Sequence, residues 1–286
     1  MMKRIFFPLF ILLFLGVGNF SMAQNPDTKL TTGVVAYQQQ DYKKAMEAFN
    51  FALKDPSVLK EKNQPKGFYY RGLTRLGYMQ QLGAKIAVAG QDADPATILS
   101  EDETAFMKDA VIGAYEDFKN AKKYDVAGKW GKKIDQQTKG LTGMILNGGA
   151  QLLNGTFGND LKADEKKMMY GEVIKYMDAV IDLSPNMHLA YDFKGQSYLN
   201  SGDTTKAYES FTKAVEVFSE NEPRQPDQLI AYVYYRKALI ERYSKNDLDA
   251  ALASLDAGKA ALDKEHDRYL KIEGLQPAQI ESINSD

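Results

Sequence analysis

The sequence predicts an all-α protein, an α-solenoid of about five antiparallel helix pairs with an insertion in the second pair. One observation behind this is a spacing that returns twice in full. It reads Gly33, Ala45, Phe49, Ala52 and again Gly195, Ala207, Phe211, Ala214, the second copy also carrying Tyr191 and Tyr198. A partial copy keeps Ala114, Phe118 and Ala121, with Gly72 too far upstream to belong to an uninterrupted unit. The other observation is periodicity. Apolar residues recur near every 3.6 residues, and no segment alternates over the length of a strand.

The spacing has a physical reason. Two antiparallel helices approach closely only where one offers a small residue, so Gly195 and Ala207 mark a contact between paired helices. Phe211 and Ala214 follow Ala207 at i+4 and i+7, which keeps all three on one helix face. Asn200 to Asp203, and Gln39 to Asp41 in the first copy, are the turns between the two periodic runs. These residues resemble the tetratricopeptide repeat. The resemblance implies a right-handed array that holds other proteins, with the first helix of each pair lining a concave groove.

At the N-terminus, Lys3 and Arg4 precede an apolar run from Ile5 to Val17, and Ser21 and Ala23 supply the small residues of a cleavage site. The run falls short of the roughly 20 residues that span a bilayer. Residues 1–23 are therefore expected to be a signal peptide, the mature chain starting at Gln24 and residues 24–286 forming the repeat domain. Losing Lys3 and Arg4 moves the formal net charge from −2 to −4. Charges of both signs alternate on most helices with no basic block, which argues against nucleic acid. The chain has no cysteine, which excludes disulfides, thiol catalysis, thiolate metal sites and a lipidated anchor. The expectation is a bacterial envelope protein, periplasmic or secreted, with no stable membrane span after signal cleavage.

The first pair covers about 27–55, closed by Asp55 and Pro56. The second begins at Pro65, with Gly67, Phe68, Tyr69, Tyr70 and Gly72 on its first helix, and an insertion from Gln81 to Ser100 delays its partner. Ser100 and Glu103 form a capping box that starts the returning helix, Glu101 to Tyr124. In the third pair Ile134, Leu141, Ile145 and Leu152 recur at helical spacing among Gly140, Gly143, Gly148, Gly149 and Gly155. Each glycine weakens a helix by about 1 kcal/mol relative to Ala, so tight packing or a kink is expected there. The returning helix, Lys162 to Leu183, carries Tyr176 and Ala179. The fourth pair covers about 186–219. The fifth starts near Pro226 with Tyr235, Ala238, Ala251, Leu255 and Gly258, and Leu239 stands where a small residue is usual. The charged stretch beyond Leu262 reads as a solvating cap, and the tail from Gln276 has little to bury.

Chemical motifs are weak. His188 opens the fourth pair, and His266 lies among Asp263, Glu265 and Asp267 on a polar helix, short of the convergent ligands a stable metal site needs. Asp92, Asp94 and Glu103 fit three positions of a calcium loop, but Ala96 and Thr97 fail the next two. No catalytic constellation is found, so neither an enzyme nor a cofactor is expected. Recognition remains. The resemblance maps the groove to Leu30, Val34 and Tyr37, then Tyr69, Leu73 and Leu76, then Asp192, Gln196 and Leu199, and finally Arg236, Ile240 and Tyr243. Of these, Tyr37, Tyr69, Arg236 and Tyr243 are the expected partner-binding residues. The Lys and Asn pair with which some family members clamp a peptide carboxylate is missing at these positions. An extended or helical polypeptide is the expected partner, with a homo-oligomer also open. The alternative is a carbohydrate-binding accessory protein of an envelope uptake system, suggested by 17 tyrosines but served by a single tryptophan, Trp130.

Overall fold

A computed structural model describes residues 25–90, 94–158, 161–220 and 229–271. The signal peptide, Asp92, Pro226 and the tail from Gln276 lie outside the described residues. Among the described residues there are helices and turns and no strand. The pairs are α1 (Pro26–Gln38) with α2 (Tyr42–Ala52), α3 (Gln64–Ala89) with α5 (Glu101–Tyr124) after the short α4 (Pro95–Ile98), and α6 (Gly131–Gly158) with α7 (Ala163–Leu183). The last two are α8 (His188–Asn200) with α9 (Thr204–Glu220), and α10 (Ile230–Tyr243) with α11 (Leu248–Leu270). Each pair packs on the next through α2 on α3, α5 on α6, α7 on α8 and α9 on α10. This is a helical solenoid, as the repeat predicts.

Helix starts are set by local chemistry. The Asn25 side chain accepts from the Asp27 amide ahead of Pro26, and Asp41 and Asp247 cap α2 and α11 in the same way. Ser100 and Glu103 form the reciprocal capping box of α5.

What holds each pair closed is one glycine against one aromatic ring. A Cβ added to Gly33 would stand 2.8 Å from the Phe49 ring, one on Gly72 2.8 Å from Phe118, and one on Gly195 2.5 Å from Phe211. In the third pair Gly148 meets Tyr176, at 2.9 Å. All four rings are buried. The fifth pair inverts the arrangement, since Leu239 occupies the first helix and Gly258 of α11 lies instead against Tyr234 of α10.

The expected insertion in the second pair takes helical form. α3 runs unbroken to Ala89, and both helices continue equally far past the Gly72 to Phe118 contact, so most of the extra sequence lengthens a projecting helical hairpin. Leu82 and Leu99 are buried in it, Tyr78 packs on Phe106 at 4.7 Å, and Lys85 pairs with Glu103 at 2.9 Å. Below it, Arg71 and Arg75 both donate to the buried Asp117, at 2.6 to 3.0 Å. In α6, Gly148 and Gly149 pack tightly against α7, whereas Gly140 and Gly143 face open space, which the packing does not explain. The end of α11 is not wholly a solvating face either, because Glu265 is fully buried, with Arg268 beside it.

Between the second and third pairs, the Tyr115 hydroxyl donates to Asp182 at 2.5 Å and accepts from Lys119 at 3.1 Å. Burial first, and then the bond to Asp182, push the phenol up to about 12. Hydrogen bonding to Tyr115 and Asp182 raises Lys119 to about 12 as well.

Two outcomes follow from these contacts. Gly195→Ala gains about 1 kcal/mol of helix propensity but drives a methyl into a buried ring, and overpacking of that kind costs about 1 to 3 kcal/mol. It should lower the denaturation midpoint, whereas Gly140→Ala should raise it; a stabilised Gly195 variant would show that the ring yields. The second outcome concerns pH. The folded-state values of Tyr115 and Lys119 lie above their ordinary 10.0 and 10.5, so their contribution is complete below about pH 10 and is lost as pH rises through about 12. Denaturant titrations across that window should fall less steeply in Tyr115→Phe than in the native chain, and equal slopes would remove the cluster from the balance.

Candidate functional site

The segment Gly67 to Tyr70 opens α3 with three consecutive aromatics, and successive helical residues point about 100° apart. Phe68 and Tyr69 therefore turn into the core, Tyr69 reaching Phe118 at 5.8 Å, while Tyr70 stays half-buried. Tyr70 lies edge-on to Tyr37 of α1 at 5.5 Å, and Tyr37 in turn lies 6.1 Å from Tyr42 at the start of α2. On the other side Trp130 stands 5.0 Å from Tyr69 and 6.2 Å from Tyr70. Its place is set by the link into α6. Gly128 makes the turn at a φ of 67°, and Asp125 accepts from the amides of Lys129, Trp130 and Gly131 at 2.6 to 3.0 Å. The Lys133 ammonium sits 5.2 Å from the centre of the indole. The result is a half-buried row, Tyr42, Tyr37, Tyr70 and Trp130, that crosses from the first pair to the third.

The phenols of Tyr37 and Tyr69 are held above their ordinary value. Burial, then the neighbouring Tyr42, Tyr69 and Tyr70, raise Tyr37; burial and Tyr70 raise Tyr69 against a bond to Gln137. Each hydroxyl can donate or accept while its ring supplies apolar area.

The four expected partner-binding residues fall in two places. Tyr37 and Tyr69 come together around Tyr70, Tyr37 half-buried and Tyr69 buried. Arg236 and Tyr243 lie on α10, which packs on α9 and α11, apart from the row. Arg236 donates to both oxygens of Asp192 of α8, at 3.0 and 3.3 Å, and Gln196 donates to the same carboxylate. Burial pushes Asp192 up, with Arg236 the main opposing influence. Tyr243 is 79% exposed. Leu30, Val34 and Ile240 are buried packing residues. Tyr42, Tyr70 and Trp130 were missed as a joint surface because they come from three separate segments. Tyr232, 59% exposed on α10 and four residues before Arg236, is a further aromatic that the motif did not select.

The weaker motifs resolve as packing and capping. His188 is buried against Phe218, ring to ring at 5.0 Å. Glu103 accepts from the Ser100 amide and from Lys85, both at 2.9 Å, and those bonds hold its carboxyl low. Among the described residues no cluster of three or more His, Cys, Asp or Glu could hold a metal ion, and no helix is long and apolar enough to cross a membrane.

No family model matches the chain, and no curated protein is significantly similar to it. Among solved structures it is similar to MamA, the RS-1 ArsTM double mutant, at 14% identity and a TM-score of 0.31, over 86% of this chain and 98% of that one. It is also similar to the TPR2AB domain in the pHSP90 complex of yeast Sti1, at 16% identity and a TM-score of 0.29, over 91% of this chain and 97% of that one. At these scores neither fixes a family or a partner.

The single tryptophan makes the row testable. Tyr69→Ala opens one side of Trp130 to water and should shift its emission to longer wavelength. An unchanged spectrum would place Trp130 outside the cluster.

Proposed function

We propose that this protein is a non-catalytic protein–protein interaction scaffold of the bacterial cell envelope, exported to the periplasm or secreted, which holds an extended or helical polypeptide along the first helices of its pairs. The observation that carries the reading is the half-buried aromatic row from Tyr42 through Tyr37 and Tyr70 to Trp130. Rings of this kind give large contact area at low conformational cost, and their hydroxyls satisfy the backbone of a bound chain. At the other end of the array Tyr232 and Tyr243 offer exposed rings on α10, with Arg236 between them in sequence. Aromatic residues and Arg are the types that most often dominate binding energy at interfaces. Export rests on Lys3, Arg4, the apolar run to Val17 and the small-residue exit at Ser21 and Ala23.

The test is retention from an envelope extract, followed by titration of the retained polypeptide. Tyr37→Ala and Tyr243→Ala should each weaken binding by about 2 kcal/mol or more with helical content intact. Tyr69→Ala and Arg236→Ala should weaken binding and also lower thermal stability, since both side chains make packed or paired contacts. The same protein recovered from the envelope should begin at Gln24. Binding that survives all four replacements but disappears on removal of residues 81–100 would move the site to the tip of the α3–α5 hairpin and overturn the groove reading.

A further inference from the structure

The last helix repeats the stacking face of the helix pair before it. In register, Leu252 of α11 stands for Tyr208 of α9, Leu255 for Phe211, Lys259 for Val215 and Leu262 for Phe218. On α9 this face takes part in receiving α10: Phe211 and Phe218 are buried, and Tyr208 and Val215 pack beside them. On α11 the same face is open within the described chain. Leu255 is 43% exposed where Phe211 is fully buried, and Leu248, Leu252 and Leu262 are exposed along the same stripe. Helical spacing of 100° per residue puts these four leucines within a quarter-turn of one another, adjacent to the buried seam of Ala251, Ser254 and Gly258. An exposed apolar stripe of this kind, interrupted once by Lys259, marks an interaction surface.

Two charges, Lys259 within the stripe and Asp256 at its edge, say what covers it. Asp256 and Lys259 are both exposed and make no ion pair within the described chain. Two α11 helices laid antiparallel about a two-fold axis between Ala257 and Gly258 bring Asp256 of one copy level with the partner's Lys259, and the same pairing recurs across the axis. Leu262 of one copy then falls level with the gap between the partner's Leu252 and Leu255. The stripe is thus self-complementary in both charge and packing, the property an isologous interface requires. We propose that the chain forms a two-fold dimer by packing α11 antiparallel against α11 of a second copy. The surface lies at the open end of the array, so the proposal stands apart from the groove and does not depend on it.

Sedimentation equilibrium on the full chain tests this with two reversals at exposed positions, Asp256→Lys and Lys259→Asp. The native chain should sediment as a dimer, and each reversal alone should weaken association by roughly tenfold or more, because it sets like charges face to face twice. Mixed one to one, the two variants should associate again, since the Asp256→Lys copy offers two ammonium groups and the Lys259→Asp copy two carboxylates. A local effect within one helix cannot produce that recovery. Leu255→Asp should give a monomer with unchanged helical content. A native chain that is monomeric at every concentration, a dimer indifferent to both reversals, or a mixture no tighter than the single variants would each overturn the proposal. A monomer that dimerises only once residues 272–286 are removed would assign the stripe to the chain's own tail and overturn it equally.

Discussion

The contact between one glycine and one buried aromatic ring is the constraint on which the array depends. It sets how closely the two helices of a pair approach, because the ring lies over the helix backbone where a side chain would otherwise stand. Gly33 with Phe49, Gly72 with Phe118, Gly148 with Tyr176 and Gly195 with Phe211 repeat it in four successive pairs. Everything beyond the contact is free to vary. The α3–α5 pair grows by several turns, and α6 runs on past Gly148 to Gly158, without disturbing the spacing at the contact itself. A solenoid tolerates such insertions because each unit needs only its neighbours.

Polar groups fix the register that the apolar contacts leave loose. Asp117, 2% exposed, is held by Arg71 and Arg75 across one pair, and Asp192 by Arg236 between two. Glu241, 1% exposed, accepts from Ser254 of α11 at 2.6 Å and from Tyr208 of α9 at 3.0 Å, and pairs with Lys237. Burying a carboxylate is unfavourable unless its partners are present, so a shifted register would strand these charges. Such groups add little net stability and select one stacking among several of similar apolar area. The hydroxyl and ammonium bonds outweigh burial at Glu241 and hold its carboxyl low, which keeps it ionised and able to tie three helices together.

Where two helices were joined by a short turn, the sequence was enough. Gly33 with Phe49 and Gly195 with Phe211 stand at one fixed separation, and that recurrence is what revealed the fold. Gly72 with Phe118 and Gly148 with Tyr176 make the same contact at other separations, so no fixed spacing could pair them. That residues 81–100 mostly lengthen two helices is not legible in the sequence, because Gln80, Gln81, Gly83 and the run from Ala84 to Ala89 blur the helical period, and Leu82 is the one buried residue in this stretch of α3. The candidate site was only half legible. The groove register found Tyr37 and Tyr69, but whether a ring on a helix faces the core or the solvent depends on a single step of 100°, and that step separates buried Tyr69 from half-buried Tyr70. Trp130 joins the row from a link between pairs, where no repeat register applies.

The same geometry explains why an array of this kind offers two different surfaces. Tyr37 and Tyr70 of the first helices, with Trp130 from the link into α6, remain half-buried even though each touches the next. At its end, the stacking face that every internal pair hands to its neighbour has no neighbour among the described residues, and a helix pair built to be stacked upon presents leucines to solvent. The first surface is held by contacts within the chain, and a ligand at the proposed groove would meet rings already in place, which would limit the ordering cost of binding. The second is the α11 counterpart of the face on α9 whose Phe211 and Phe218 cluster with Ile230, Val233 and Ile240 of α10. The proposed groove partner and the proposed second copy would not compete, because the row runs from the first pair to the link into the third and the stripe belongs to the fifth.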